Sequence, residues 1–176
     1  MSGQERLSAF PLESFRDVLA ANGEFSAAFK GSALTGSAAK GLAIVTCMDS
    51  RISPLALVGM QSGDAKILRN AGARVTEDVL RTLVLATYLL GVNRILVMPH
   101  TDCRMAQSEE ADIHATISQE FGVDTRSLEF RTVSDQRKAL TTDVTRIRSY
   151  PLLRKGVTVG GAIYNVTTGA LEPLDC

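Results

Sequence analysis

The apolar residues of this chain change their period near residue 41, and the kind of element they predict changes with them. Over residues 11–30, Phe15, Val18 and Leu19, then Phe25 and Phe29, recur at helical spacing on either side of Gly23, which predicts two short amphipathic helices. The stretch GSALTGSAAK at 31–40 is small and polar and reads as a connector. Beyond it, short apolar runs at 42–46, 65–68, 95–98 and 157–163, bounded by turn residues, predict buried strands.

Helical periods separate most of these runs. The first, over 76–90, opens with Thr76 as N-cap and places Glu77 and Asp78 where the helix dipole favours negative charge; Gly91 suits its end. Its apolar positions go nearly all round, so deep burial is expected. A second helix is predicted over 108–121, with Ile113, Ile117 and Phe121 on one face and Gly122 as its stop. A third, over 134–150, carries Leu140, Val144 and Ile147 and halts before Pro151. The link 47–64 is irregular, whereas the others can be right-handed crossover helices. The expected fold is α/β, a single three-layer domain on a mostly parallel β-sheet flanked by helices. Residues 1–40 form an N-terminal helical extension and connector, residues 41–176 form the core, and a closing hairpin turns at Thr168 and Gly169.

Composition narrows the partners. The 176 residues, 45% hydrophobic, suffice for one core. Lysine plus arginine and aspartate plus glutamate are both 19, so no net field draws the chain to nucleic acid or to an anionic membrane. No apolar run nears the roughly 18 residues of a membrane span. The opening MSGQERLSAFPLESF lacks the layout of a signal peptide, so a cytoplasmic location is expected. Three cysteines make a poor disulfide framework and leave three readings: metal ligands, catalytic groups or inert core.

In open parallel sheets, ligands bind beyond the carboxyl ends of the strands. Cys47 follows GLAIVT, His100 follows RILVMP, and Cys103 comes three residues later, so two strands would deliver two thiols and an imidazole to one edge. Zinc favours such a set. A cysteine ending an apolar strand is also an ordinary core residue. A phosphatase-like phosphate loop is disfavoured, because Ser53 stands six positions after Cys47 where arginine is needed. Asp49 and Arg51 would point to the same side of an extended segment, either bonded beside a metal or as a surface pair worth about 0–1 kcal/mol. The segment RNAGAR at 69–74 reaches the same edge, or is an ordinary turn.

Together, CMDSR with Cys47, Asp49 and Arg51, GDAK at 63–66, NAG at 70–72, HTDC with His100, Asp102 and Cys103, and Met105 with Ala106 resemble the β-class carbonic anhydrases in order and spacing. The short subclass known from archaea and mycobacteria is the nearest likeness. The resemblance implies one zinc per chain, held by Cys47, His100 and Cys103, and reversible hydration of carbon dioxide to bicarbonate and a proton. It also implies that Asp49, restrained by Arg51, orients a hydroxide generated at zinc, that Gly72 helps to position substrate, and that the protein is a homodimer or higher even oligomer. The alternatives are a related zinc hydrolase of carbon disulfide or carbonyl sulfide, a redox pair of Cys47 and Cys103, and a non-catalytic zinc protein with Cys176 as fourth ligand. His114 is a helix-surface residue with a minor claim to proton shuttling. Arg104 stands where the family has glycine, and three outcomes are open: strain at positive φ, a guanidinium beside Cys103, or an outward side chain paired with Glu109 or Glu110.

Overall fold

The strand β1, Leu42–Cys47, is buried at every position, as expected of an unbroken apolar run covered on both faces. In the computed structural model, which describes residues 10–31 and 33–176, it pairs in parallel with β2 (Ala65–Asn70) on one side and β3 (Arg94–Met98) on the other. Parallel β4 (Thr158–Tyr164) follows beside β3, and β5 (Leu171–Leu174) closes the sheet in antiparallel pairing with β4. The order is therefore β2-β1-β3-β4-β5. The hairpin between β4 and β5 turns as its sequence suggests, with the Gly169 N–H donating to the Asn165 carbonyl at 2.8 Å. Register matters more than order here. Cys47 lies level with Asn70, and Thr46 level with both Arg69 and Met98, so the chain leaves β1, β2 and β3 along one common edge.

The chain divides into two compact units, Met1–Thr35 and Gly36–Cys176, each described by itself. In the first, a 3-10 turn at Leu12–Phe15 leads into α1 (Arg16–Ala28), which buries none of its residues. The two expected helices are thus one continuous α-helix across Gly23. A single interior glycine costs only about 0.8–1.0 kcal/mol, less than a helix gains by continuing. Residues 1–9, which carry most of the opening segment judged above, lie outside the described part.

In the second unit, α2 is the single turn Pro54–Leu57, α3 runs over Glu77–Leu89, α4 over Arg104–Gln107, α5 over Glu110–Phe121 and α6 over Gln136–Arg148. Alternation along the strands sends Ala43, Val45, Ile95 and Val97 to one face, where Leu80 and Leu83 of α3 and Val144 and Ile147 of α6 meet them. Ile44 and Met98 meet Ile52, Met105 and Leu57 on the other. Thr76 caps α3 by accepting from the Val79 N–H, and Asp135 caps α6 by accepting from the Lys138 N–H. Gly122, in the left-handed conformation, ends α5.

Two expectations need correcting. The helix expected from residue 108 is broken by extended backbone at Ser108 and Glu109, leaving α4 and α5 as separate pieces, and Phe121 is exposed. The apolar girth of α3 does not bury it all round: Leu85, Tyr88 and Leu89 stand 51%, 57% and 70% exposed, because one sheet can cover only one side of a helix. Among the described residues no helix is long and apolar enough to cross a membrane.

This asymmetry is measurable. Leu83, wholly buried against the sheet, should cost about 2–5 kcal/mol when changed to alanine, whereas Leu85→Ala should stay within about 0.5 kcal/mol of wild type. Urea denaturation of both variants checks the assignment, and equal losses would contradict it.

Candidate metal centre

The edge where β1 and β3 end is built to return the chain on itself. Past β3, the Pro99 carbonyl accepts from the Tyr164 N–H, and the Thr101 N–H donates to the Tyr164 carbonyl, so β4 pins the segment containing His100. Asp102 then takes a left-handed conformation, φ +55°, which aspartate tolerates better than most residues, and the chain turns so that Cys103 re-enters the interior ahead of α4. The ligating atoms of Cys47, His100 and Cys103 consequently lie within 4.8 Å of one another, and all three residues are buried.

The chemistry of this cluster fits a zinc ion. Its sulfurs are 4.0 Å apart, about twice a disulfide bond length and near the roughly 3.8 Å expected between two sulfurs each about 2.3 Å from a tetrahedral centre. His100 Nδ1 lies 2.8 Å from the Thr101 carbonyl oxygen, a contact only an N–H can make, so the proton sits on Nδ1 and Nε2 carries a lone pair. That Nε2 is buried with no hydrogen-bond partner among the described residues. A buried orphan of this kind is costly, and a metal ion is the partner that two thiols and an imidazole together suit. Burial pushes the Cys103 thiol up to about 11, against the opposing pull of the Met105 and Ala106 N–H groups. It therefore holds its proton at neutral pH until a cation displaces it.

Beside the cluster stands a chain of charged side chains. Arg51 donates from Nε to Asp49 Oδ1 at 3.0 Å and from Nη2 to Asp49 Oδ2 at 2.8 Å, and its backbone N–H reaches Oδ1 at 2.9 Å. These bonds hold the Asp49 carboxyl well below the usual carboxylate range. Asp49 Oδ2 lies 3.8 Å from His100 Nε2. Arg51 is itself clamped from behind: Nη1 donates to Asp102 Oδ2 at 2.6 Å and Nη2 to the Asp102 carbonyl at 3.0 Å, while Gln107 Nε2 donates to Asp102 Oδ1 at 2.7 Å. From β2, Arg69 donates to the carbonyls of Cys47 and Asp49 at 2.9 and 2.6 Å, which fixes the backbone between them. Gln136 of α6 donates to the His100 carbonyl at 2.7 Å.

Gly72 also reaches the cluster, through its backbone. The residue has φ +76°, its N–H donates to Cys47 Sγ at 3.4 Å, and a Cβ there would lie 3.1 Å from Met105 Cβ. Sequence reasoning singled out Asp49, Arg51 and Gly72 but gave no role to Asp102, Arg69 or Gln136. The position of Asp102 between two candidate ligands was the available signal for the first; Arg69 and Gln136 required the register.

Other candidates lie elsewhere. Cys176 packs with the core on the opposite face of the sheet, 3.9 Å from Thr141 Oγ1, so it is no fourth ligand. His114 is half-buried rather than on the helix surface, with Nδ1 2.8 Å from Thr125 Oγ1 and its ring 5.1 Å from that of Phe130. Arg104 is the first residue of α4 and has no positive φ, so the strain considered for it does not arise; that conformation belongs to Asp102, two residues earlier. The Arg104 side chain is exposed and pairs with neither Glu109 nor Glu110; the Glu110 carboxylate accepts instead from the N–H groups of Phe130 and Arg131.

The chain is similar to known proteins in sequence and in fold. A family model described as carbonic anhydrase matches residues 42–171. Beta-carbonic anhydrase 1 of Mycobacterium tuberculosis is 37% identical over 159 residues, covering 89% of this chain and 94% of the relative. A carbon disulfide hydrolase of Saccharolobus solfataricus is 30% identical over 153 residues, covering 73% of this chain and 74% of the relative. The crystal structure of a carbonic anhydrase from Streptococcus mutans superposes with a TM-score of 0.86 at 32% identity, covering 96% of this chain and 100% of that one.

Cys47→Ser should abolish stoichiometric zinc binding, whereas Cys176→Ser should retain it, as read by metal analysis after dialysis. Because the Cys103 proton must leave, zinc affinity should also fall as pH is lowered through the neutral range, by about tenfold per unit for each proton displaced. Competition with a chelator at two pH values measures the slope.

Proposed function

Because the chain belongs to the β-carbonic anhydrase family, we propose that it catalyses the reversible hydration of carbon dioxide to bicarbonate and a proton, with one zinc per chain held by Cys47, His100 and Cys103. The observation that carries this reading is the buried meeting of two thiols with an imidazole nitrogen that has no other partner. When bound, zinc would supply a Lewis acid that acidifies water, less strongly than in a three-histidine site because two thiolates cancel its charge, so that activity would rise toward alkaline pH.

The protein's own part is orientation. Asp49, which the Arg51 hydrogen bonds favour in its ionised form, then only accepts hydrogen bonds, so a water between it and the ligand cluster would turn a proton toward Asp49 and a lone pair away from it, toward the carbon of the substrate. Arg51 fixes the carboxylate by a two-pronged grip and keeps Asp49 from collapsing onto the cluster, and the bonds from Arg51 and Gln107 to Asp102 steady that grip. Gly72 borders the substrate in this reading, with its backbone N–H on Cys47 Sγ and no side chain to crowd Met105.

Three coarser attributes complete the proposal. We assign the reaction to the cytoplasm, where reducing conditions keep Cys47 and Cys103 as the free thiols that metal binding needs. The acting form is a homodimer or higher even oligomer, supported by the exposed apolar side chains of Phe15, Val18, Leu19 and Phe25 in the first unit. The catalytic core and its N-terminal extension act as one carbonic anhydrase-like domain. A second reading, hydrolysis of carbon disulfide, is favoured by the similarity to a carbon disulfide hydrolase, but that identity is 30% against 37% for the mycobacterial carbonic anhydrase.

Stopped-flow hydration of carbon dioxide on protein of measured zinc content tests the reading, with carbon disulfide assayed in parallel; turnover of carbon disulfide alone would sink it. Asp49→Asn should keep zinc and lose about 100-fold in turnover, because an amide can donate as well as accept and no longer imposes one orientation. Arg51→Ala should also impair turnover, by releasing Asp49 toward the metal site. Near-normal rates in both would reduce the pair to a surface contact. Light scattering should give twice the 18.9 kDa chain mass or a higher even multiple.

A further inference from the structure

The loop at 70–74 is held in a conformation its residues do not favour. Gly72 and Ala73 are consecutive at φ +76° and +59°, and alanine gains nothing from that region. Two devices enforce it. The Asn70 side chain closes the loop on both sides, accepting from the Arg74 N–H at 2.8 Å and donating to the Arg74 carbonyl at 2.7 Å. The Arg74 guanidinium then leaves the loop for α6 and meets Asp143, Nε to Oδ2 at 2.8 Å and Nη2 to Oδ1 at 3.5 Å, with Nη1 donating to the Arg131 carbonyl at 3.3 Å.

The second device is out of character with its surroundings. The Asp143 side chain is only 5% exposed, beside Val144 and Ile147 on a helix that otherwise presents apolar residues to the sheet. A buried pair of this kind is rarely more stabilising than two well-packed apolar residues, so helix docking alone does not account for it. What the loop delivers is the Gly72 N–H, aimed at Cys47 Sγ at 3.4 Å. A single cavity is lined by Gly72, Arg74, Cys103, Met105 and Asp143, so the ion pair and the ligand cluster adjoin.

We propose that the ion pair of Arg74 with Asp143 is a positioning device for the metal centre: it locks the 70–74 loop so that the Gly72 N–H stays on Cys47 Sγ, and so sets how strongly that sulfur donates to zinc. An N–H bond to a thiolate withdraws electron density from the sulfur, and its loss makes the sulfur a stronger donor with a higher-lying lone pair. The proposal rests on reading Cys47 as a zinc ligand.

Two variants separate positioning from mere anchoring of α6. Asp143→Asn removes the charge, and the double substitution Arg74→Met with Asp143→Leu replaces the pair by apolar residues of similar size, which should preserve the melting temperature. Both should still bind one zinc, with affinity about 10–100-fold weaker by chelator competition, because an unlocked loop no longer holds Cys47 Sγ in place for the metal and that loss outweighs the stronger donation of the freed sulfur. In both, the sulfur-to-metal charge-transfer band of the cobalt-substituted protein should move to longer wavelength, and the Gly72 amide proton resonance should move upfield. A double variant with wild-type affinity, cobalt band and Gly72 resonance would overturn the proposal and leave the pair as an anchor for α6. Stoichiometric zinc in Cys47→Ser would instead overturn the ligand assignment beneath it, an outcome distinct from the first because the ion-pair variants leave all three ligands in place.

Discussion

The fold brings two buried sulfurs within 4.0 Å of each other and leaves the imidazole Nε2 beside them without a hydrogen-bond partner among the described residues. Such a cluster is a liability unless a cation completes it. Much of the surrounding structure is best understood as what keeps the three from relaxing apart. Parallel pairing brings the ends of β1 and β3 level, β4 pins the segment around His100, and the left-handed turn at Asp102 returns Cys103 to the interior. None of these devices lies in a ligand side chain, and each is backbone geometry imposed from a neighbouring strand or turn.

The charged residues around the cluster follow the same logic. Arg51 serves two carboxylates at once, gripping Asp49 on the cluster side and held by Asp102 on the other. Asp102 thus has two functions that coincide at one residue: its conformation aims Cys103, and its side chain aims Arg51. Exposed ion pairs contribute little to stability singly, but a chain running from Gln107 through Asp102 and Arg51 to Asp49 restricts where the last carboxylate can go.

Much of this was legible in the sequence because it is local. The strands are apolar runs, the cap at Thr76 and the stop at Gly122 are single residues with defined conformations, and the three candidate ligands sit at strand ends where parallel sheets gather chemistry. What was not legible depends on distance or competition. Gly23 reads as a break but is absorbed by a helix long enough to bear its cost, and Ser108 and Glu109 read as helix but are extended. The exposed side of α3 cannot be inferred from its own composition, since burial depends on how many layers cover it. Arg74 and Asp143 are separated by 69 residues, and their pairing follows only from the docking of α6.

The depth of the cluster has a kinetic meaning. With Cys47, His100 and Cys103 all buried, an ion held by them would be expected to leave when the segments at 70–74 and 100–103 open rather than by side-chain motion alone. Exchange of a metal bound there would then be tied to local opening of the sheet edge, and its residence time would report the stability of two loops as much as the strength of three bonds.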